Sequence, residues 1–286
     1  MIEEPLFSTL GPAAPRSPVV LAVPHAGRRY PMGLVEKARV PIARLRALED
    51  RMADGLVELA VAQGATAVVA RLARAAIDVN RDPREIDPSM IEEGLALRDV
   101  QISSKVRSGL GLFPRRLPAC GELWKSRMTM ADARTRIETM HVPYHRAIGE
   151  RLAAARAVFG AAVLIDCHSM PPLPVREHGG PIRIVIGDRF GASASSALID
   201  MVLAVVEGAG LRAARNHPYP GGHSTARHGR PTTGVHALQI EFDRTLYLDA
   251  TLDQPGPGFA ACRQIVADIA RQIGAMLASQ WPVAAE

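Results

Sequence analysis

Apolar positions recur along this chain at two spacings, one of strands and one of helices, and the two alternate. The run SPVVLAVP (17–24) is continuous, β-branched and closed by proline, which predicts a buried strand. ARLRALEDRMADGLVELAVAQ (43–63) carries apolar residues at helical spacing and stops before Gly64, which predicts a helix. ATAVVARL (65–72) and ARAAIDVN (73–80) read as two further strands. Residues 82–122 lose any period and are rich in Pro, Gly and Ser; a loop of that length inside a compact domain is often functional, as a lid or a substrate wall. A long helix is predicted over 129–158, with Pro143 a kink or break. AAVLIDCH (161–168), IRIVIGD (182–188) and VHALQIEFD (235–243) read as strands. ASASSALIDMVLAVVEGAG reads as a helix closed by Gly208 and Gly210, and FAACRQIVADIARQIGAML as a C-terminal helix.

Strands alternating with helices predict an α/β fold around a mostly parallel sheet. No repeat, linker or change of composition divides the chain, so residues 1–286 are expected to form one domain. A hydrophobic content of 48% and a charged fraction of 22% fit a globular chain and exclude a disordered one. The net charge of +5 rests on arginine, since Lys37, Lys105 and Lys125 are the only lysines. The arginines are scattered, with no basic block and no interleaved aromatics, which argues against a nucleic-acid partner and for a small anionic one. Cys120, Cys167 and Cys262 form no CxxC pair, and an odd, widely spaced set predicts free thiols in a reducing compartment. The start MIEEPLFSTL has no apolar signal core, and no apolar run reaches the ~18 residues a membrane span needs. A cytoplasmic protein without a membrane contact is the expectation.

Sheets of this class take ligands beyond the carboxyl ends of their strands. Polar groups gather at those ends: His25 after the first strand, then Asp78, Asn80 and Arg81 in DVNR, His168 in DCHSMP, and Asp188 and Arg189 in GDRFG. NHPYPGGHSTARHGRP (216–231) adds a Gly-rich loop with His217, His223 and His228, whose roles no spacing assigns. His25 and His168 are the natural metal pair, because a catalytic zinc takes three protein ligands and keeps one open position. Asp50 and Asp54, sharing a face at i and i+4 of the predicted helix, are candidates for the third ligand. Alternation along VHALQIEFD sets Gln239, Glu241 and Asp243 on one face. A mid-strand carboxylate among apolar residues is costly unless paired or functional, which makes Glu241 the candidate general base. By the same alternation Asp166 shares a face with His168 and is suited to orient it, while Cys167 points away. Cys167 reads as a small core residue and Ser169 as a local hydrogen-bonding group, since no GxSxG elbow surrounds it.

PHAGRRYP (24–31), DVNR (78–81), DCHSMP (166–171), GDRFG (187–191), NHPYPGGHSTARHGRP (216–231) and HALQIEFDRTLYLD (236–249) together resemble the N-formylglutamate amidohydrolases, in that family's order and across most of the chain. The family is similar in fold to the zinc carboxypeptidases and aspartoacylases. The resemblance implies a mixed, mostly parallel central sheet flanked by helices, with one metal at its carboxyl edge. His25 and His168 match the two histidine ligands, Asn80 and Arg81 an Asn-Arg pair that binds the substrate carboxylate or, with Arg81 as a catalytic residue, polarises the scissile carbonyl, and Glu241 the glutamate base. The HxxE of the carboxypeptidase relatives is absent, since Arg28 holds that position. The acidic ligand is therefore assigned to Asp50, with Asp54 and Glu49 behind it. His223 stands where related sequences carry tyrosine.

The activity so implied is metal-dependent cleavage of an N-acyl, and specifically N-formyl, group from an acidic amino acid such as N-formylglutamate. Zn²⁺ is the expected ion, with Co²⁺, manganese or iron able to use the same donors. Arg81 and Arg189 suit the substrate's carboxylates, because guanidinium forks onto carboxylate through two parallel hydrogen bonds. Asn216, Gly221 and Gly222 are expected at the acyl pocket. Two other functions use the same residues: a metallopeptidase or amidase acting on larger substrates, and a binding protein that keeps the pocket without catalysis.

Overall fold

The computed structural model describes residues 5–174 and 180–280. Its main strands are Phe7–Leu10 (β1), Val19–Val23 (β2) and Thr66–Ala70 (β3); a short hairpin of Arg116–Leu117 (β4) and Gly121–Glu122 (β5) follows, and then Ala162–Met170 (β6), Ile184–Gly187 (β7), Ala213–Arg215 (β8) and Val235–Asp243 (β9). The seven-stranded sheet has the order β1-β3-β2-β6-β9-β7-β8. β3, β2, β6 and β9 run parallel to one another, while β7 lies antiparallel to β9 with β8 parallel to β7. The sheet is thus mixed and mostly parallel, with helices flanking it, as expected. β2, β3 and β7 are buried along their whole length, which is why they read as continuous apolar runs rather than as alternations, and β6 is buried throughout although it carries Asp166 and His168.

The direction of β7 changes what its end supplies. In register, Val185 pairs with Glu241 and Gly187 with Gln239, so β7 leaves toward the amino end of β9. Asp188, Arg189 and, beyond β8, Asn216 therefore do not emerge at the same edge as His168. A loop on one face makes up the difference. A Cβ on Gly187 would stand 2.6 Å from the Tyr219 carbonyl oxygen and 2.6 Å from the Pro220 carbonyl carbon. Only glycine lets the backbone of 219–221 cross the strand so closely.

Two compact units emerge from the chain's contacts. The first comprises Met1–Ser8, Pro24–Glu49 and Ala70–Arg146; the second comprises Thr9–Val23, Asp50–Val69 and Ala147–Glu286. The first unit has its own core, with Ala38, Leu45, Leu48, Ala75 and Leu123 packed beneath Tyr30, Leu110 and Trp124. The second centres on the sheet and on two amphipathic helices, Ser196–Gly208 and Phe259–Gln280, which bury Leu198, Val202, Ile269 and Ile273. Among the described residues no helix is long and apolar enough to cross a membrane.

Two predicted elements form differently, and a third forms with an irregular turn. The helix expected over 43–63 is broken into Ile42–Leu45, a 3-10 turn Arg46–Leu48, and the short helices Ala53–Leu56 and Glu58–Ala62. Asp50 lies in the break, next to Met52 in the left-handed conformation (φ 60°), so the shared helical face assumed for Asp50 and Asp54 does not exist. Local spacing favoured a helix, but Glu49 and Asp50 are both buried, and placing two buried carboxylates dictates the local backbone. ARAAIDVN forms turns, not a strand; its apolar residues are buried as a loop, and Arg74 reaches Asp78 at 2.8 Å. The long helix does form, as Met130–Arg136, a π-helical turn Ile137–His141 and Val142–Phe159. Pro143 cannot donate to the carbonyl of Thr139 and would crowd it in an α turn; the wider π turn accommodates it without ending the helix.

Candidate active site

In the first unit a buried network surrounds Asp78. His25 Nε2 lies 2.7 Å from Asp78 Oδ1, and Arg74 Nη2 lies 2.8 Å from Oδ2. Asp78 Oδ1 also accepts from the Asn80 amide at 2.9 Å, and Arg81 Nε stands 3.7 Å from Oδ2. Burial alone would raise the Asp78 carboxyl, but Arg74, His25 and Arg81 outweigh it and hold it well below the usual carboxylate range. An ionised Asp78 fixes a hydrogen on His25 Nε2 and leaves Nδ1 as the ring nitrogen suited to accept or to coordinate. Arg81 donates through Nε to Leu110 O at 3.0 Å and through Nη1 to Asn80 O at 2.9 Å, which points its fork in one direction. Glu49 accepts from the Tyr30 hydroxyl at 2.5 Å.

In the second unit the corresponding centre is His168, near the end of β6. Its register partner is Glu241, and Asp166 pairs with Gln239, so these four side chains share one face of the sheet. All four are at least nine-tenths buried. His168 Nε2 lies 3.0 Å from Asp166 Oδ2, and Nδ1 lies 3.1 Å from Asp50 Oδ2. Asp50 Oδ1 accepts from Ser169 at 3.1 Å, with the Arg244 guanidinium 3.9 Å away. Gln239 donates to Glu241 Oε1 at 2.8 Å. Burial would lower the His168 imidazole, but Asp166, Asp50 and Glu241 together raise it well above its ordinary value. Cys167 faces the other way, and burial, reinforced by Asp50 and Asp166, pushes its thiol far up, so it is no thiolate nucleophile.

The chemistry of these donors fits a divalent ion. Two ligands at 2.0–2.1 Å in a tetrahedron stand about 3.3 Å apart, close to the 3.1 Å between His168 Nδ1 and Asp50 Oδ2. Asp166 on Nε2 supplies the carboxylate–histidine pairing that metal-binding imidazoles use to fix their orientation. Asp78 does the same for His25.

The loop that crosses Gly187 covers this face. Tyr219 has its hydroxyl pushed up by burial and then by the charge of Glu241, with Arg244 opposing. His228, in the short helix His223–His228, is lowered to about 4 by burial and then by Arg227, so it is neutral at pH 7. Asn216 is buried, and its amide is engaged at both ends: its oxygen accepts from the Asp188 amide at 2.9 Å and its nitrogen donates to the Asp188 carboxylate. Holding the loop is what this side chain does. Arg189 and Phe190 follow in the left-handed conformation and are exposed. Gly221 has φ 122°, and a Cβ there would meet Thr225 Oγ1 at 2.7 Å.

Asp188 also takes Arg215 Nη2 at 2.6 Å. Burial would raise its carboxyl, but Arg215 and Asn216 keep it below the usual range. A depressed carboxyl stabilises the fold above the unfolded value of about 3.9, and this contribution is lost as pH falls through the folded value. In urea titrations, wild type should lose stability steadily below about pH 5, and Asp188→Asn should show a flatter acid slope. Equal slopes in both proteins would remove Asp188 from the account of acid lability.

The sequence reading did not assign Asp78 to His25, nor Tyr219 to the Glu241 face, nor Arg244 to Asp50, though it did set Gln239 beside Glu241. Asp78 carried a signal, as the acid opening DVNR. Arg244 carried one as well, immediately after the polar face of β9. Tyr219 carried none, because only the loop's crossing at Gly187 brings it in.

Known proteins resemble this chain along most of its length. The sequence model of the N-formylglutamate amidohydrolase family matches residues 17–248. An N-formylglutamate deformylase of Pseudomonas aeruginosa is 33% identical over 248 residues, covering 82% of this chain and 83% of that protein. Its counterpart from Pseudomonas putida is 29% identical over 243 residues, covering 82% and 84%. The crystal structure of an N-formylglutamate amidohydrolase from Ralstonia eutropha superposes with a TM-score of 0.87 at 31% identity, covering 96% of this chain and 99% of that one.

Proposed function

The chain belongs to the N-formylglutamate amidohydrolase family and is a hydrolase of amide C–N bonds, and from that premise we propose that it removes the formyl group of N-formylglutamate with a divalent metal held by His25, Asp50 and His168. The observation that carries the proposal is the pairing of each histidine, through Nε2, with a buried aspartate. His25 follows β2 by two residues, and β2 is the parallel neighbour of β6, which carries His168. Asp54 and Glu49 stand behind Asp50 as alternative acids. The ion is zinc, and cobalt would use the same nitrogen and oxygen donors. A family model spanning segments of both units supports one hydrolase domain over residues 1–286. Free Cys120, Cys167 and Cys262 suit the cytoplasm.

When bound, the metal polarises the scissile carbonyl and brings the pKa of water to about 7. Glu241 takes a proton from the attacking water and passes it to the leaving amine nitrogen, so water and amide give formate and free glutamate. Gln239 orients that carboxylate through its own amide. Arg244 lies beside Asp50 and meets the negative charge that develops on the formyl oxygen. Asn80, Arg81 and Arg189 bind the carboxylates of the glutamyl part. The Gly221 and Gly222 backbone lines the formyl side, held in place through Asn216 and Asp188, and His223 contributes to that wall.

Formate release from N-formyl-L-glutamate by zinc-loaded protein tests the reading. Turnover that disappears with a chelator and returns with zinc or cobalt is expected. Activity undiminished by complete metal removal would overturn the metal-dependent mechanism, and absence of turnover would overturn the substrate.

A further inference from the structure

Two buried histidines have no part in the proposed chemistry. His141 closes the π-helical turn, and His145 follows one turn later in Val142–Phe159. At i and i+4 they share a face, with ring centroids 4.6 Å apart and exposures of 2% and 1%. His145 Nε2 lies 2.7 Å from Val79 O, and His141 Nε2 lies 2.9 Å from Arg81 O. A carbonyl can only accept, so both rings carry their hydrogen on Nε2. These two carbonyls flank Asn80.

Neighbouring backbone groups of the loop are paired as well. The Asp78 amide donates to Leu112 O at 2.8 Å, the Asn80 amide to the Asp78 carboxylate, and the Arg81 amide to Asp78 O at 3.2 Å. Asn80 O accepts from Arg81, and Ala76 O from Arg136 Nη1 at 2.9 Å. The carbonyls of Val79 and Arg81 belong to no secondary structure, and buried backbone oxygens must be paired. Two imidazoles held by a continuous helix supply the pairing, and they fix the height and direction of the segment that carries Asn80 and Arg81.

We infer that His141 and His145 are positioning residues: by donating to Val79 O and Arg81 O they hold Asn80 and Arg81 in their binding geometry and so set the affinity for the anionic substrate. The inference rests on the reading that Asn80 and Arg81 take the substrate's carboxylates. Its chemistry is specific to one nitrogen. A glutamine amide nitrogen reaches where histidine Nε2 stands, whereas an asparagine amide reaches only the Nδ1 position.

The test compares His145→Asn with His145→Gln in the zinc-loaded protein. Two readouts are followed, KM and kcat for N-formyl-L-glutamate and amide hydrogen exchange over residues 78–82. In His145→Asn, KM should rise roughly tenfold with kcat within about threefold, the pattern of lost ground-state binding. Exchange over 78–82 should quicken by roughly tenfold or more, as a local opening freed of its clamp. His145→Gln should restore both. A lower melting temperature with wild-type KM and exchange would make the histidines ordinary core residues and overturn the inference, as would equal behaviour of the Asn and Gln variants. Should His145→Asn fail to fold, His141→Asn against His141→Gln carries the same comparison. Wild type that does not hydrolyse N-formylglutamate would overturn the proposed function, and the exchange comparison would still decide the clamp.

Discussion

Glu241→Gln should lower kcat by roughly 10²–10⁴-fold, the usual contribution of a positioned general base, while metal content stays at the wild-type level. The substitution keeps size and hydrogen-bonding capacity but removes the lone acceptor of a proton. Glu241 sits mid-strand, 7% exposed, opposite His168 in the β6–β9 ladder. Its carboxylate shares a buried polar face with His168, Asp166 and Gln239, while Leu238, Ile240 and Phe242 fill the other face of the strand. Gln239 already donates to one of its oxygens, and an amide at 241 can turn its own oxygen to the same donor. The fold should therefore tolerate the change, and the loss should fall on kcat more than on KM. Steady-state kinetics beside metal analysis on the same samples separate the two effects. A variant that keeps its metal and near-normal turnover would remove Glu241 from the role of base. Asp166 would not inherit that role, because its carboxylate is committed to His168 Nε2.

His168→Ala should abolish both metal retention and turnover. The imidazole meets Asp50 on Nδ1 and Asp166 on Nε2, so its removal takes away a proposed ligand and leaves two buried carboxylates facing a cavity. Asp166→Asn is the graded control. It keeps the ligand nitrogen but weakens its orientation, and outer partners of this kind typically cost 10–100-fold in metal affinity or activity. The measurement is metal per chain by mass spectrometry, followed by competition with a chromophoric chelator. One equivalent of metal in His168→Ala would show that the ion is held elsewhere.

Much of the candidate site is legible in the sequence. Glu241 stands out in the sequence because a carboxylate on the polar side of an alternating strand is conspicuous, and it lies opposite His168 in the ladder. Asp166 was found through the same two-residue period, which put it on the face of His168. Both deductions rest on bond geometry that holds within any strand. Helix spacing served less well around Asp50. The run RLRALEDRMADGL has the right period, yet the chain breaks at Asp50 and Met52. A contact 118 residues away in sequence, with His168, overrides the local preference there.

The sequence by itself determined the α/β class, β6 and β9 with their polar faces, and the types of donor available: two imidazoles, several carboxylates, and arginines for an anion. It could do so because periodicity and side-chain chemistry are local. Only the tertiary structure decided the direction of β7 and β8, and with it that Asp188 and Asn216 hold a loop whose backbone at 219–221 crosses the sheet at Gly187. Only the tertiary structure paired Asp78 with His25 and set His141 and His145 behind Asn80. These partners stand 53, 60 and 66 residues apart in sequence. Their pairing is a property of how buried polar groups find one another once the core has closed, and no local spacing encodes it.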